Sequence, residues 1–241
     1  MVSGGNDLMD VQAVSGRSGA GREFWRGALV AGGFTAIPRW SLDAAIGAAE
    51  DEAKIPDDLI ATVRRLADEL GVTASSVLLA THAKVLAALS GERQVTTGYV
   101  ARVGGGPMPC GLTTDAGSWR ELLLDTHRAE AQLLSHADFP LEELRRELGV
   151  TGPAFETVFD PTGIEGDIGE GIVLRLGISQ RSDELVLRVR YRTDVLDPEC
   201  AARIAGYHLT ALELMAADLD AEHRRQSLLS AEELYFQLEG L

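Results

Sequence analysis

Apolar residues recur at helical spacing in some stretches of the chain and alternate in others, with glycine, proline and capping side chains between them. Residues 1–20 are rich in Gly, Ser and Asp without an apolar period, which predicts a loosely held arm. Order is expected from near Arg22, where Phe24, Trp25, Ala28 and Leu29 mark a short helix stopped by Gly32 and Gly33. The Ala-rich, acidic stretch 41–54, with Glu50, Asp51 and Glu52 in a run, fits either helix or loop. Ile55-Pro56-Asp57-Asp58 is a helix start, because proline tolerates the first turn and acids suit the positive end of the helix dipole. Leu59, Val63, Leu66 and Leu70 then share one face, and Gly71 ends the helix. Thr73 caps the next helix, whose buried side carries Val77, Leu78, Val85, Leu86 and Leu89 up to Gly91. A strand through Val95, Thr97 and Tyr99 follows.

Gly104-Gly105-Gly106-Pro107-Met108-Pro109 reads as a loop, since glycine disperses the backbone and proline removes donors. Ser118-Trp119-Arg120-Glu121 matches a capping box and opens a helix to about Leu134. A shorter helix from Pro140 to Leu148 precedes a strand through Phe155, Val158 and Phe159, and an acidic, glycine-rich loop spans Pro161 to Gly171. Ile172, Leu174, Leu176 and Ile178 alternate with other residues, as do Leu185, Leu187, Val189 and Tyr191 beyond the polar turn from Gln180 to Asp183, so a hairpin is predicted. Asp197-Pro198-Glu199 opens a last long helix with Ile204, Leu209, Leu212 and Met215 on its apolar side, and the pattern dissolves after Asp220. Helices alternating with strands in this way predict an α/β domain, a mixed β-sheet covered by helices.

Composition narrows the function. The 241 residues are 45% hydrophobic with few aromatics, enough for an aliphatic core, and the formal charge of -15 opposes unassisted binding to nucleic acid or an anionic membrane. No apolar run is long enough to span a bilayer and the opening residues lack the pattern of a secretory signal, so a cytoplasmic protein is expected. Cys110 and Cys200 stand far apart without a second Cys or His at ligand spacing, which points to two small core residues rather than a disulfide or metal site.

Several phrases along the chain resemble, in the same order, those of the second half of nonribosomal peptide synthetase condensation domains, whose two lobes each look like chloramphenicol acetyltransferase. Phe24-Trp25-Arg26-Gly27-Ala28-Leu29 looks like "YWrerL", and Gly71-Val72-Thr73 with Leu78-Leu79-Ala80 resembles "GaT..vlLAA". His136-Ala137-Asp138-Phe139-Pro140-Leu141-Glu142 stands where the family has "HQDxPFE", and Pro153-Ala154-Phe155-Glu156-Thr157-Val158-Phe159 looks like "PlFqvmF". Arg190 to Leu196 resembles "leYntDLF", and Ser227 to Glu233 looks like the join to an adenylation domain.

The resemblance implies a single chloramphenicol acetyltransferase-like lobe over residues 21–226, after the arm 1–20 and before a linker, 227–241, toward an adenylation domain. The family's catalytic motif HHxxxDG, which belongs to the other lobe, has no counterpart here: His82, His127, His136, His208 and His223 are scattered. The tunnel phrase "VNTLPLR" falls on Gly106 to Gly111, where its Asn, Thr and Arg are replaced. No catalytic, cofactor-binding or metal-ligating residue is therefore assigned, and no cofactor is expected. His136, Asp138, Pro140 and Glu142 are read as architectural. Arg175, Arg188, Arg190 and Arg192 form a basic stripe on the polar side of the hairpin, either a surface for an acidic partner or a sheet face with local ion pairs. Trp25 and Trp40 either plug the side that the other lobe would cover or pack in the core.

The function expected is a non-catalytic, truncated condensation domain at the start of a synthetase. It would serve as a docking platform for the adenylation domain after Ser230 or for a peptidyl carrier protein. The alternatives are half of a split condensation enzyme completed by a lobe bearing HHxxxDG, and a degenerate remnant with only a folding role. A hydrophobic face where the other lobe would sit makes a homodimer a further expectation.

Overall fold

The computed structural model describes residues 6–42, 45–163, 167–181, 184–230 and 233–235. Helix α1 (Asn6–Ala31) is followed by strand β1 (Ala48–Lys54), helices α2 (Asp57–Leu70) and α3 (Ala74–Ser90), and strands β2 (Gln94–Tyr99) and β3 (Met108–Thr113). Then come helices α4 (Trp119–Ser135) and α5 (Leu141–Glu147), strands β4 (Thr157–Asp160), β5 (Leu174–Arg181) and β6 (Glu184–Arg192), helix α6 (Pro198–Ala217), and a single 3-10 turn at His223–Arg225. The strands form one mixed sheet in the order β1-β6-β5-β4-β2-β3, with β4 parallel to both its neighbours and every other pair antiparallel. This is the α/β class expected.

Local chemistry sets most boundaries. Thr73 accepts from the Ser76 amide at 3.0 Å, and Asp197 accepts from the Cys200 amide at 2.7 Å, each satisfying an otherwise orphaned donor of its helix. Ser118 and Glu121 close the reciprocal capping box at the start of α4. Gly71 takes φ 65° after α2, a left-handed conformation that glycine adopts without a Cβ penalty.

The alternation in the strands separates two faces. Leu187, Val189 and Tyr191 of β6, Leu174 and Leu176 of β5, Phe159 of β4, Val95 and Tyr99 of β2, and Cys110 and Leu112 of β3 all join the main core. Helices α6, α3 and α4 cover that face, α6 against β1 and β6, α3 against β2 and α4 against β3. Helix α3 is buried almost all round, from Ser76 to Leu86 with only Leu78 partly open, because α2, α4 and α6 all pack on it. On the other face Val158 joins Phe155, Val100, Ile168 and Ile172 in a small second cluster, and Glu50, Glu52, Arg175, Arg188 and Arg190 lie along β1, β5 and β6.

Three expectations are corrected. The helix containing Trp25 begins at Asn6, inside the stretch read as an arm, while residues 1–5 lie outside the described residues. Extending a docked helix orders one residue per hydrogen bond, so it proceeds into sequence that lacks an apolar stripe. The stretch 41–54 ends in a strand, β1, whose Glu50 and Glu52 are opposite Arg190 and Arg188; that pairing is distant in sequence and invisible to local periodicity. The glycine-proline loop stops at Pro107, because Met108 and Pro109 enter β3; this is an edge strand, where a missing donor is tolerated. Of the polar hairpin turn, Ser182 and Asp183 lie outside the described residues.

Candidate functional site

The phrase 136–142 forms the turn between α4 and α5. His136 is the C-terminal cap of α4, its carbonyl accepts from Trp25 Nε1 at 3.0 Å, and its ring lies 4.8 Å from that of Phe24. Asp138 projects into solvent and pairs with Arg102 at 2.8 Å rather than orienting His136. Pro140 precedes the first turn of α5, and Glu142 lies in that turn at the positive end of the helix. The phrase thus bolts α1 to the α4–α5 corner, and Gly21 is part of the fit, since a Cβ there would meet Phe139 at 2.9 Å. Trp25 is fully buried in this joint, whereas Trp40 is half-buried, with its amide donating to the Val195 carbonyl at 2.7 Å.

The basic stripe falls on the helix-free face of the sheet, and each arginine has a carboxylate partner. Arg190 reaches Glu50 at 2.8 Å and Arg188 reaches Glu52 at 3.1 Å across the β1–β6 ladder. Arg175 pairs with Asp160 and Arg192 with Asp194. The positive charge is therefore offset in place, by Glu50 and Glu52 of the stretch that fits helix or loop in the sequence and by Asp160 and Asp194.

The place of the tunnel phrase is the edge strand β3. Pro109, Cys110 and Gly111 there line a groove of about 670 Å³ with Phe24 and Ala28 of α1 and Leu133 of α4. Among the described residues its only ionisable lining groups are Glu23 and Cys110, and burial pushes the Cys110 thiol up to about 12. A thiol held protonated is a poor nucleophile. Cys110 and Cys200 are both free and buried.

The structure also assembles two polar clusters that sequence reading missed. In the first, His208 Nδ1 faces the Ile204 carbonyl at 2.8 Å, and His208 Nε2 faces His82 Nδ1 at 3.1 Å; His82 Nε2 then lies 3.2 Å from Thr97 Oγ1. Carbonyl oxygens only accept, so His208 carries its proton on Nδ1 and His82 donates from its own Nδ1, which leaves His82 Nε2 as an acceptor that shares the single Thr97 hydroxyl proton with the Thr157 carbonyl, 3.1 Å from Thr97 Oγ1. Thr157 Oγ1 completes the chain by donating to Thr97 Oγ1 at 3.1 Å. Both rings are buried and neutral: burial holds His82 well below its ordinary value and lowers His208 to about 4. With every ring nitrogen engaged inside the protein, neither is placed to take a proton from a substrate. Two histidines in apolar helical stretches, at positions facing the sheet, were the only signal in the sequence.

In the second cluster Glu130 of α4, 2% exposed, accepts from Tyr99 at 2.5 Å, Ser75 at 2.7 Å and Thr73 at 3.2 Å, and also from Ser76. His127 Nδ1 lies 2.9 Å from Ser76 Oγ. Serine, histidine and carboxylate are together, but serine bridges the other two, whereas nucleophilic catalysis needs histidine between serine and acid. Ser76 is also fully buried. The arrangement ties α3, α4 and β2 together. Its trace in the sequence is the i, i+3 spacing of His127 and Glu130 on one helix face.

No protein-family model matches the chain. Tyrocidine synthase 3 of Brevibacillus parabrevis is 27% identical over 209 residues, a match covering 73% of this chain and 3% of that protein. The chain therefore spans a small fraction of the curated relatives that it matches. Among solved structures, a holo four-domain nonribosomal peptide synthetase bound to AMP and glycine superposes with a TM-score of 0.75 at 14% identity, over 92% of this chain and 21% of the other. The first condensation domain of the CDA synthetase superposes with a TM-score of 0.70 at 20% identity, over 92% of this chain and 56% of the other. Nearly all of this chain thus corresponds to little more than half of a condensation domain. In sequence the chain is similar to nonribosomal peptide synthetases, and its fold is that of a single chloramphenicol acetyltransferase-like lobe of a condensation domain.

Proposed function

We propose that the chain is the C-terminal lobe of a truncated condensation domain and acts without catalysis, as a docking platform for a neighbouring adenylation domain in a cytoplasmic natural-product synthetase. The observation that carries this reading is the way the segment read as the linker is held on the lobe. Leu228 is buried in the main core. Ser230 and Glu233 cap each other, with the Ser230 amide donating to Glu233 at 2.7 Å and the Glu233 amide to Ser230 Oγ at 3.2 Å. Tyr207 of α6 donates to Glu233 at 2.7 Å, and Arg203 pairs with it at 3.2 Å. A domain joined to a segment clamped in this way is restrained close to α6 rather than tethered loosely, which raises its effective concentration at the lobe. The buried, internally bonded histidines support the non-catalytic part of the reading.

The test is to measure aminoacyl-adenylate formation and thermal stability of the adenylation domain with the lobe attached, with the lobe removed, and with Glu233→Ala and Tyr207→Phe combined. Loss in the last two relative to the first is expected. Equal activity and stability in all three would sink the platform role.

A further inference from the structure

Lys84 of α3 is 8% exposed, and its Nζ donates to the backbone carbonyl of His223 at 2.8 Å. Among the described residues no carboxylate stands within ion-pairing distance of it, and burial alone holds its pKa down. The other buried ionic side chains are better served: Glu156 has Arg39, Asp160 has Arg175, and Glu130 has its ring of hydroxyls. A buried ammonium with only a neutral acceptor is costly unless a counter-charge comes from elsewhere.

A second unmet group lies beside it. His223 Nε2 donates to the Ala116 carbonyl at 2.9 Å, which leaves Nδ1 as a bare acceptor, buried and without a partner. Lys84 and His223 both border a cavity of about 620 Å³ between the C-terminal half of α3 and the segment 223–229. That volume suits a small molecule. Trp40, Tyr207, Leu228 and Leu229 supply apolar wall. Among the described residues the other charged groups of the lining are engaged at the rim, Arg93 with Asp115, Arg224 with Glu222 and Glu92 with the Thr35 hydroxyl, so Lys84 is the one buried charge bordering the cavity, and with the Glu92 carboxylate also on the lining a monoanion matches it better than a dianion.

We propose that this cavity binds a small carboxylic acid with an apolar, ring-sized body, its carboxylate against the Lys84 ammonium and its body against Trp40, Leu228 and Leu229. The cavity shares Tyr207 and Leu228 with the segment clamped on α6, but the proposal does not rest on the docking role, and benzoate binding tests it without an adenylation domain present.

Benzoate is the probe, titrated into the full chain by calorimetry, with benzyl alcohol as the uncharged counterpart and inorganic phosphate as the competitor. Benzoate is expected to bind, Lys84→Met to weaken it roughly tenfold or more, and benzyl alcohol to bind weaker than benzoate by a similar factor. In the wild-type protein labelled with 13C-lysine, the Lys84 Cε resonance is expected to move with benzoate and stay still with benzyl alcohol, a readout that does not depend on how the variant folds. Absence of benzoate binding overturns the proposal, as do equal affinity for the alcohol, an unmoved Lys84 resonance, or displacement of benzoate by phosphate at like concentration.

Discussion

The neutral histidine relay makes the fold sensitive to mild acid, and the sign follows from its geometry. In the unfolded chain His208 takes a proton near its ordinary value of 6.5, whereas in the folded protein burial lowers it to about 4. Protons therefore bind the unfolded state first: the stability is complete above about pH 6.5 and drains away as the pH falls toward 4. The full difference corresponds to roughly 3 kcal/mol, of which about 2 kcal/mol is lost by pH 5. His82 shifts in the same direction through burial and the neighbouring His208, and His223 is also lowered to about 4 by burial. Urea unfolding followed by tryptophan fluorescence between pH 7.5 and 5 measures this, since Trp25 and Trp119 are fully buried. Protonating the surface carboxylates relieves repulsion in a chain of charge -15 and works the other way, so the decisive quantity is a difference. Replacing both partners, His82→Leu with His208→Leu, should flatten the pH dependence by at least the about 2 kcal/mol that His208 alone supplies over that range. A double variant with the same slope as the wild type would refute the assignment of the effect to the relay.

Other outcomes follow from single contacts. Glu130→Ala strands several buried hydroxyls and should lower stability by about 3 kcal/mol, read as a drop in the thermal midpoint. Arg39→Ala removes the partner of Glu156, which is 4% exposed and is met by Arg39 at 2.6 and 2.7 Å; chemical denaturation should show a loss of about 2 kcal/mol, and restoring a cation with lysine should recover only part of it. Gly98→Ala should cost about 2 kcal/mol, because the new Cβ would lie 2.5 Å from the Phe155 ring, and a companion Phe155→Leu change should rescue part of that loss.

The elements whose signals are local were legible in the chain. The hairpin β5–β6 stands where alternation placed it, since period-two burial is written directly into Leu174 to Tyr191. The starts of α3, α4 and α6 follow their capping residues for the same reason, as a cap acts on amides two or three residues away. The order of family-like phrases carried the fold class, and with it the expectation of a single lobe.

What only the tertiary structure decided are the pairings between distant segments. Whether Glu50 and Glu52 belong to a helix or a strand depends on arginines more than a hundred residues away, at Arg188 and Arg190. The same holds for His82 with His208 and for Lys84 with the carbonyl of His223, which join α3 to residues beyond its own reach. Local preference sets which backbone a segment adopts. Burial and charge compensation between remote segments set what its polar side chains meet, and with that whether a histidine is an internal strut and a lysine an unpaired charge at the edge of a cavity.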